Sequence, residues 1–322
     1  MDEFSLIERF FSQPNAGAAQ ANSALQQGIG DDCAILRVPL GKELAFSLDT
    51  LVAGVHFPVD ADPGEIAWRL LGAAVSDLAA MGAEPNSFTL ALTLPELTEQ
   101  WLKKFSQQLA IAADKYQITL AGGDTTKGPL TLSVQVQGFV EQGQALLRSG
   151  AAEGDFICVT GNLGDSRAGL ELLDVEQPDT AQRYLLQRYY RPVPRVATGL
   201  LLRAYASACI DISDGLLADL NHILRRSEVG ARLDADSIPM SDAMRQVAGD
   251  NALQWALGGG EDFELCFTVP ALQWPALQQQ LQQHQVAVST IGVVTAAIEL
   301  QIFRDGQWQH IAASGYNHFS SE

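Results

Sequence analysis

Strand-like and helix-like segments alternate along this chain in two successive series. In the first series, the strand-like run 44–52 precedes an amphipathic pattern over 62–82. Asp62 can cap that segment, Pro63 suits a first helical turn, and Gly82 can end the helix. The apolar residues between them recur at helical spacing. Alternation of this kind predicts mixed α/β domains.

The alternation continues through the rest of the chain. The first series adds one expected helix, 98–115, and the expected strands 87–94, 117–122 and 130–140. The expected helices of the second series are 164–173, 181–190, 195–208 and 216–226. Its expected strands are 155–160, 209–213, 231–234, 263–269, 286–293 and 298–304.

A Gly- and Ala-rich stretch, residues 141–154, separates the two series. A chain of 322 residues has the length for two medium-sized domains. We therefore expect an N-terminal mixed α/β domain over 1–147 and a C-terminal α/β domain over 148–322.

The composition excludes several classes of protein. Acidic residues outnumber basic ones by 38 to 20, a formal net charge of −18, which repels nucleic acids and anionic membrane surfaces. No window approaches the roughly 18 uninterrupted apolar residues of a transmembrane helix. The opening "MDEFSLIERFF" lacks the basic region and apolar run of a signal peptide, which favours a cytoplasmic location. The four widely spaced cysteines form no CxxC pair, which predicts reduced, mostly buried thiols.

Acidic residues recur beside Gly, Ser or Thr in six short segments. Each segment alone fits turn or capping chemistry, and "SDG" before "LLADL" has the form of a helix N-cap. The six are "GIGDD" (Asp31, Asp32), "SLDT" (Ser47, Asp49), "SDLAAMG" (Asp77), "GGDTT" (Gly122, Gly123, Asp124), "DISDG" (Asp211, Ser213, Asp214) and "GGGEDFE" (Glu261, Asp262).

Two of these segments are unusual for purely structural acids. Asp77 lies inside a predicted helix beside its apolar stripe, where an unpaired carboxylate is costly. Ser47 and Asp49 are two residues apart in a predicted strand and therefore face the same side. If these side chains converge with the other acids, they form a pocket of oxygen ligands suited to Mg²⁺, which completes its shell with water and substrate phosphates.

The sequence lacks the usual phosphate-binding motifs. Its one "GK", at Gly41, is followed by Glu43 and has no upstream P-loop glycine. In "GIGDDC", Cys33 replaces the third glycine of a dinucleotide fingerprint, and the strand-like run follows the motif instead of preceding it. We therefore expect metal ions, held by acids such as Asp31 and Asp32, to neutralise any bound phosphate.

The acidic segments also resemble a known family. "GIGDDCA", "SLDTLVAGVHF", "SDLAAMGA", "GGDTTKG", "LRSGA", "DISDGL" and "GGEDFEL" occur in the order seen in the thiamine-monophosphate kinases of the aminoimidazole-ribonucleotide-synthetase (AIR synthase-like) superfamily. The resemblance runs to "GYNHF" at 315–319 and so covers nearly the whole chain. It implies a two-domain α/β (α+β) fold in homodimers, with N-terminal strands paired across a dimer barrel and ATP between the domains.

The resemblance also implies a reaction and its site. ATP would phosphorylate thiamine monophosphate to thiamine diphosphate, the last step of its biosynthesis, with several Mg²⁺ ions. His56, Glu261 and Tyr316 would contact thiamine monophosphate, and Asp31 would fix its loop. The residues that would contact ATP are Gly123, Asp124, Arg148 and Ser213. The residues that would bind Mg²⁺ are Asp32, Ser47, Asp49, Asp77, Asp124, Asp211 and Asp214.

Physical chemistry is compatible with these implied roles. The acceptor phosphate is already ionised at pH 7, so no general base is assigned. Arg148 lies at the expected domain boundary, where its guanidinium group could reach ATP phosphates. Leu48 departs from the Thr of many relatives, but it faces away from Ser47 and Asp49 in a strand, so we expect little loss.

Two kinds of alternative remain open at this stage. One is another ATP-dependent enzyme of the superfamily, of which aminoimidazole-ribonucleotide synthetase itself is excluded by the resemblance alone and not by a physical argument. Selenophosphate synthetases have Lys after their N-terminal Cys, whereas Ala34 follows Cys33 here, and the hydrogenase-maturation relatives end in a reactive cysteine, whereas this chain ends "HFSSE". The other is a non-enzymatic divalent-ion or nucleotide-binding protein, although no EF-hand spacing occurs.

Overall fold

The amphipathic segment after the first long strand forms helix α1 (Pro63–Ala80). The structure, a computed structural model, describes residues 9–11, 23–313 and 315–316. At the start of α1, the Asp62 carboxylate accepts a hydrogen bond of 2.8 Å from the Gly64 N–H. At its end, Gly82 adopts a φ of +63°, a conformation that glycine reaches without steric cost. The predicted boundaries of this helix are confirmed.

The N-terminal half of the chain contains a four-stranded sheet. Its order is β3-β6-β4-β5, and only the β4–β5 pair is parallel. Helix α2 (Glu99–Lys115) connects those two parallel strands, as a crossover must. A small antiparallel pair precedes the sheet. The strands are β1 (Leu25–Gln27), β2 (Ile35–Leu36), β3 (Lys42–Val52), β4 (Glu84–Leu94), β5 (Thr119–Lys127) and β6 (Thr131–Glu141).

The C-terminal half contains a seven-stranded sheet in the order β13-β12-β9-β11-β7-β10-β8, in which only β9 and β12 are parallel neighbours. Its strands are β7 (Phe156–Thr160), β8 (Ala208–Asp211), β9 (Gly230–Asp234), β10 (Leu265–Val269), β11 (Val288–Thr295), β12 (Leu300–Arg304) and β13 (Gln307–His310). Its helices are α3 (Asp165–Leu170), α4 (Thr180–Tyr190), α5 (Val196–Leu202), α6 (Leu216–Ser227), α7 (Asp242–Ala248), α8 (Ala252–Gly258) and α9 (Trp274–Gln283).

Both faces of the central strands of this larger sheet are buried. Ile157 and Val159 of β7 belong to one apolar cluster, which includes Leu220 of α6. Cys158, between them, belongs to a second cluster with Leu277 of α9. This alternation is the period of two of a strand covered on both sides. The cysteine prediction is confirmed, since all four thiols are unpaired and all but Cys33 are buried.

The described residues divide into two compact units. One unit holds the described residues up to 78 together with 83–144, and the other holds 79–82 and the described residues from 145 onward. The predicted limits 1–147 and 148–322 are boundaries between independently folding domains, which is a different property from compactness. They therefore stay a prediction. No helix among the described residues has both the length and the apolarity needed to cross a membrane.

Several predicted elements differ from those observed. The helices expected over 164–173 and 195–208 are shorter, because α3 ends at Leu170 and α5 at Leu202. The short helices α7 and α8 were not predicted, nor were α9 and strand β13. Helix α7 is only seven residues long and is capped by Ser241, whose hydroxyl accepts the Met244 N–H at 3.0 Å. Elements this short contain too few apolar repeats for periodicity to reveal them.

Candidate functional site

Three of the predicted metal ligands lie together between β3 and α1. The alternation of β3 turns Ser47 and Asp49 toward α1, whereas Leu48 lies on the opposite face with 62% of its surface exposed. The Ser47 hydroxyl donates a hydrogen bond to the Asp77 carboxylate. The shared orientation of Ser47 and Asp49, and the opposite orientation of Leu48, follow from the period of a strand.

The Asp49 carboxyl is poorly compensated by the protein. Burial, and to a smaller extent the negative charge of Asp77, together raise its pKa to about 6. Among the described residues, no hydrogen-bond donor to Asp49 offsets these two effects. Two close carboxylates and a hydroxyl are hard oxygen donors, so a divalent cation such as Mg²⁺ would remove the repulsion. The donor set therefore fits the cation implied by the sequence.

A second group of predicted residues lines a cavity of about 980 Å³ in the first unit. The loop 28–34 forms one wall, and residues of β4 and β5 form another. Asp31, Asp32, Gly123 and Asp124 all lie on this lining. The Asp31 carboxylate accepts the N–H of Asp32 at 3.1 Å. The cavity is within the size range of small-ligand sites in proteins, roughly 300–1,000 Å³.

The segment "GGDTT" lies inside a strand rather than after one. The sequence predicted a strand ending at 122, but β5 continues to Lys127, so that expectation was wrong. Gly123 is required by packing, because a Cβ atom there would lie 2.0 Å from the Leu90 carbonyl oxygen. Asp124 is exposed and pairs in register with Ala91 of β4. The parallel neighbour β4 thus extends a glycine-containing strand that local propensity would have ended.

His56 lies in the turn that follows β3. Its Nδ1 accepts the Val52 N–H at 3.0 Å, and its own backbone N–H donates to the Val52 carbonyl at 2.9 Å. The buried Arg69 of α1 donates from Nε to the His56 carbonyl at 3.1 Å. Because Nδ1 acts as an acceptor, the neutral imidazole carries its proton on Nε2. The ring is therefore oriented as a hydrogen-bond donor through Nε2.

Four predicted residues meet in the second unit through their backbones. The Glu261 N–H donates to the Ser213 carbonyl at 2.7 Å, and the Tyr316 N–H donates to the Asp214 carbonyl at 3.0 Å. Asp211 is buried at the end of β8, directly before this meeting point. The segments "DISDG" and "GGGEDFE" and the residue Tyr316 are thus brought together from distant parts of the sequence.

The "SDG" turn is capped by a residue that sequence reasoning missed. The N-terminal cap of α6 is Gly215, and neither Ser213 nor Asp214 caps the helix with its side chain, so the predicted cap was wrong. Instead, Asp219 Oδ2 accepts the N–H groups of Ser213, Asp214 and Gly215 at 3.0, 3.0 and 3.1 Å. Burial raises the pKa of Asp219 to about 7, although these N–H groups oppose the rise. The signal in the sequence that could have revealed this cap is the acidic residue Asp219 at the fourth position of the helix.

Arg148 lies near a histidine that the sequence did not single out. Burial lowers the pKa of His222 on α6; the positive charge of Arg148 lowers it further, and Asp214 opposes both. Arg148 and Asp214 therefore both lie within electrostatic reach of one side chain. The Arg148 carbonyl accepts the Ser227 hydroxyl at 3.5 Å.

The predicted metal ligands do not form one cluster. Within the described part of the chain, no three Asp, Glu, His or Cys side chains gather closely enough to hold a metal ion by themselves. The first unit holds the group around Asp49 and the two cavity residues Asp32 and Asp124, and the second unit holds Asp211 and Asp214. Mg²⁺ is commonly bound by one or two carboxylates that share it with water and phosphate, so groups of this size are sufficient.

Comparisons with known proteins cover almost the entire chain. The family model for the AIR synthase related protein, N-terminal domain, matches residues 30–140, and that for the C-terminal domain matches residues 152–304. The chain is 49% identical to thiamine-monophosphate kinase of Salmonella typhimurium, over 99% of this chain and 98% of that protein.

Solved structures give the same result. The crystal structure of thiamine-monophosphate kinase from Stenotrophomonas maltophilia K279a has a TM-score of 0.86 and 43% identity, over 95% of this chain and 98% of that one. A structure of AaThiL complexed with AMPPCP and TMP has a TM-score of 0.80 and 32% identity, over 98% of this chain and 97% of that one.

Proposed function

Since the chain belongs to the thiamine-monophosphate kinase family of AIR synthase related proteins, we propose that it transfers the γ-phosphoryl group of ATP to thiamine monophosphate. The products are thiamine diphosphate and ADP. The observation that carries this proposal is 49% identity over nearly the full length of a relative of that name. Both domains of the chain are matched, so the similarity is not confined to a nucleotide-binding part.

The identities of donor and acceptor have independent support. The relative AaThiL was obtained complexed with AMPPCP and TMP. AMPPCP is an ATP analogue with a methylene group between its β- and γ-phosphorus atoms, and in this family TMP is thiamine monophosphate. Because the acceptor oxygen belongs to an ionised phosphate, transfer requires in-line placement and charge neutralisation more than proton abstraction. We assign no catalytic base.

The acidic residues are proposed to bind Mg²⁺ together with the substrate phosphates. The bound cations would screen the repulsion between donor and acceptor phosphates and stabilise charge on the transferred group. Ser47 orients the Asp77 carboxylate, and Asp49 contributes its charge beside it. The proposed ligands are Asp32, Ser47, Asp49, Asp77, Asp124, Asp211 and Asp214.

The proposed ATP contacts are Gly123, Asp124, Arg148 and Ser213. Gly123 lies exposed on the wall of the cavity, where its backbone could be approached by a phosphate. Arg148 supplies a positive charge in a chain of net charge −18. Asp124 is proposed to act through a shared cation rather than by direct contact with an anion.

Three residues are proposed to bind the acceptor. His56 carries a proton on Nε2 and can donate it to an acceptor atom of thiamine monophosphate. Glu261 supplies negative charge for the cationic thiazolium ring. Tyr316 is exposed, and its backbone is anchored to Asp214. Together they would distinguish thiamine from a neutral heterocycle.

A second copy of the chain is proposed to cover strand β3. This strand lies at the edge of its sheet, and Leu44, Phe46 and Leu48 are exposed on one face by 41, 66 and 62%. An edge strand of 11 residues with an apolar face favours association. In analytical ultracentrifugation we expect a dimer, and Phe46→Asp should shift the distribution toward monomer. A monomeric native chain would contradict the homodimer.

The cysteines favour a reducing compartment. All four thiols are unpaired, and no CxxC pair is available for a metal. We therefore propose a cytoplasmic location.

The decisive experiment is an assay with purified protein, ATP, Mg²⁺ and thiamine monophosphate, with the products separated by chromatography. We expect thiamine diphosphate and ADP in equal amounts, and neither when Mg²⁺ is replaced by a chelator. ADP without thiamine diphosphate would assign the acceptor to another small molecule. No turnover with any divalent cation would favour a binding protein instead.

A further inference from the structure

The loop that presents Glu261 has an unusual backbone. It connects α8 to β10, and both Glu261 and Phe263 adopt left-handed conformations, with φ of +66° and +51°. Residues with a Cβ atom avoid this region unless the surrounding structure imposes it. Contacts around the loop must therefore hold Glu261 in place.

Part of this support comes from Asp262, whose side chain is buried. Its two carboxylate oxygens accept the N–H groups of Gly164 and Ser166, at 2.6 and 3.1 Å. These donors lie at the start of α3, so the carboxylate joins the loop to that helix. Because Asp262 faces the interior between two left-handed residues, it fixes the direction in which its neighbour Glu261 leaves the loop.

Further support comes from Glu264, which has no exposed surface. It accepts the Thr160 hydroxyl at 2.6 Å, and it pairs with Arg188 at 3.0 Å and with the Arg195 Nε at 2.6 Å. A buried carboxylate between two arginines is a strongly compensated charge. Both arginines therefore stabilise the strand end that follows the loop.

The two arginines differ in one contact. Arg188 Nη2 also donates to the carbonyl oxygen of Asp262 at 3.2 Å, whereas the hydrogen bonds of Arg195 go to the Glu264 carboxylate. Arg188 thus binds the backbone of the loop directly after Glu261. Its side chain is largely buried, with 11% exposed, so it is not placed to contact a substrate itself.

We propose that Arg188 is a positioning residue, which holds the 261–263 backbone so that Glu261 is pre-organised for the cationic ring of the acceptor. This inference rests on the proposed function, because it gives Glu261 a ligand. A loop already held in its binding conformation does not lose conformational entropy when the ligand binds. Loss of the Arg188 contact should therefore weaken binding of thiamine monophosphate more than binding of ATP.

The test compares Arg188→Met with the matched variant Arg195→Met. Each variant leaves Glu264 with one arginine, so both should lower the midpoint of thermal unfolding. Only Arg188→Met removes the contact to the Asp262 carbonyl. We expect Arg188→Met to raise both the KM and the calorimetric Kd for thiamine monophosphate by about tenfold, the effect of one lost hydrogen bond to a charged group. The KM of Arg188→Met for ATP should change by less than about twofold. Arg195→Met should change the KM values for thiamine monophosphate and for ATP by less than about twofold as well.

A double variant identifies the residue through which Arg188 acts. In the Glu261→Gln background, Arg188→Met should add little to the KM for thiamine monophosphate, since the two changes then affect one interaction. Equal increases in the KM values for both substrates, or additive effects of the two substitutions, would overturn the proposal. If the Met variants do not fold, the pair Arg188→Lys and Arg195→Lys is subject to the same criteria.

The outcomes also separate this proposal from the proposed function. If the native protein neither binds nor phosphorylates thiamine monophosphate, the proposed function fails and Glu261 has no such ligand. If the native protein is active and Arg188→Met leaves the KM for thiamine monophosphate unchanged, only the positioning role of Arg188 fails.

Discussion

Both units of the molecule hold carboxylates that are at least partly buried, but the protein compensates them differently. In the second unit, Glu264 lies between Arg188 and Arg195. In the first unit, Asp49 lies beside another carboxylate, Asp77, and its pKa rises to about 6 because of burial and that neighbouring charge. The charge of Glu264 is compensated within the protein, whereas the Asp49–Asp77 pair would be stabilised by an added cation. A buried acid paired with arginines is thus typical of a structural role, whereas an acid beside another acid is typical of a cation-binding site.

The largest expected effect comes from breaking the pairing of Glu264 with its two arginines. Glu264→Gln leaves two partly buried guanidinium groups without their carboxylate, which should lower the free energy of unfolding by about 3–5 kcal/mol. The measurement is the urea midpoint by circular dichroism, with the exposed Glu171→Gln as control. An unchanged midpoint for Glu264→Gln would show that the triad is not a structural element.

A substitution in the Asp49–Asp77 pair should lower activity and leave stability unharmed. Asp49→Asn removes a charge where we propose that cation and phosphate meet, so kcat/KM should fall by about 10²–10³-fold. The midpoint of thermal unfolding should stay constant or rise, since repulsion with Asp77 is relieved. Asp114→Asn, on the exposed side of α2, is the matched control. Activity near that of the native chain in Asp49→Asn would contradict the metal-site assignment.

The sequence predicted the first unit's acids better than the second unit's. Strand period alone separates Ser47 and Asp49 from Leu48, and helical spacing places Asp77 on α1. The partners of Glu264 lie 69 and 76 residues away along the chain, so no local pattern contains them.

Other features depended on tertiary contacts in the same way. In the sequence, Asp219 is indistinguishable from any acidic residue on a helix surface. Its role depends on the preceding turn, which directs three N–H groups to its carboxylate. Strand β5 continues through Gly123 because β4 pairs with it, although glycines usually weaken strands. Elements with long apolar repeats could therefore be predicted well, whereas elements stabilised by neighbouring strands or helices could not.

The pH dependence of stability is the third way to test the comparison. Burial raises the pKa of Asp262 to about 7. The unfolded chain loses this proton near pH 4, whereas the folded chain keeps it until about pH 7. The free energy of unfolding should therefore be highest below pH 4, fall as the pH rises from 4 to 7, and then level off with respect to this group.

Asp262→Asn removes that contribution and should make the fall between pH 5 and pH 7 smaller, as measured from urea midpoints at each pH, while Asp49 and Asp219 still contribute to it. It should also lower the midpoint at pH 7, because an amide cannot accept both the Gly164 and the Ser166 N–H groups. If the slope of the variant equals that of the native chain, Asp262 is ionised in both states and its N–H donors outweigh its burial.

The smallest expected effect concerns the hydroxyl beside the crowded carboxylates. Ser47→Ala removes the hydrogen bond to Asp77, whose net value is about 0.5–1.5 kcal/mol. If this bond orients Asp77 for a cation, the Mg²⁺ concentration at half-maximal rate should rise a few-fold, with little change in the thermal midpoint. Ser47→Thr keeps the hydroxyl and suits a strand, so it should restore the native requirement. A lower thermal midpoint with an unchanged Mg²⁺ requirement would instead make Ser47 a structural partner of α1, similar in role to the residues around Glu264.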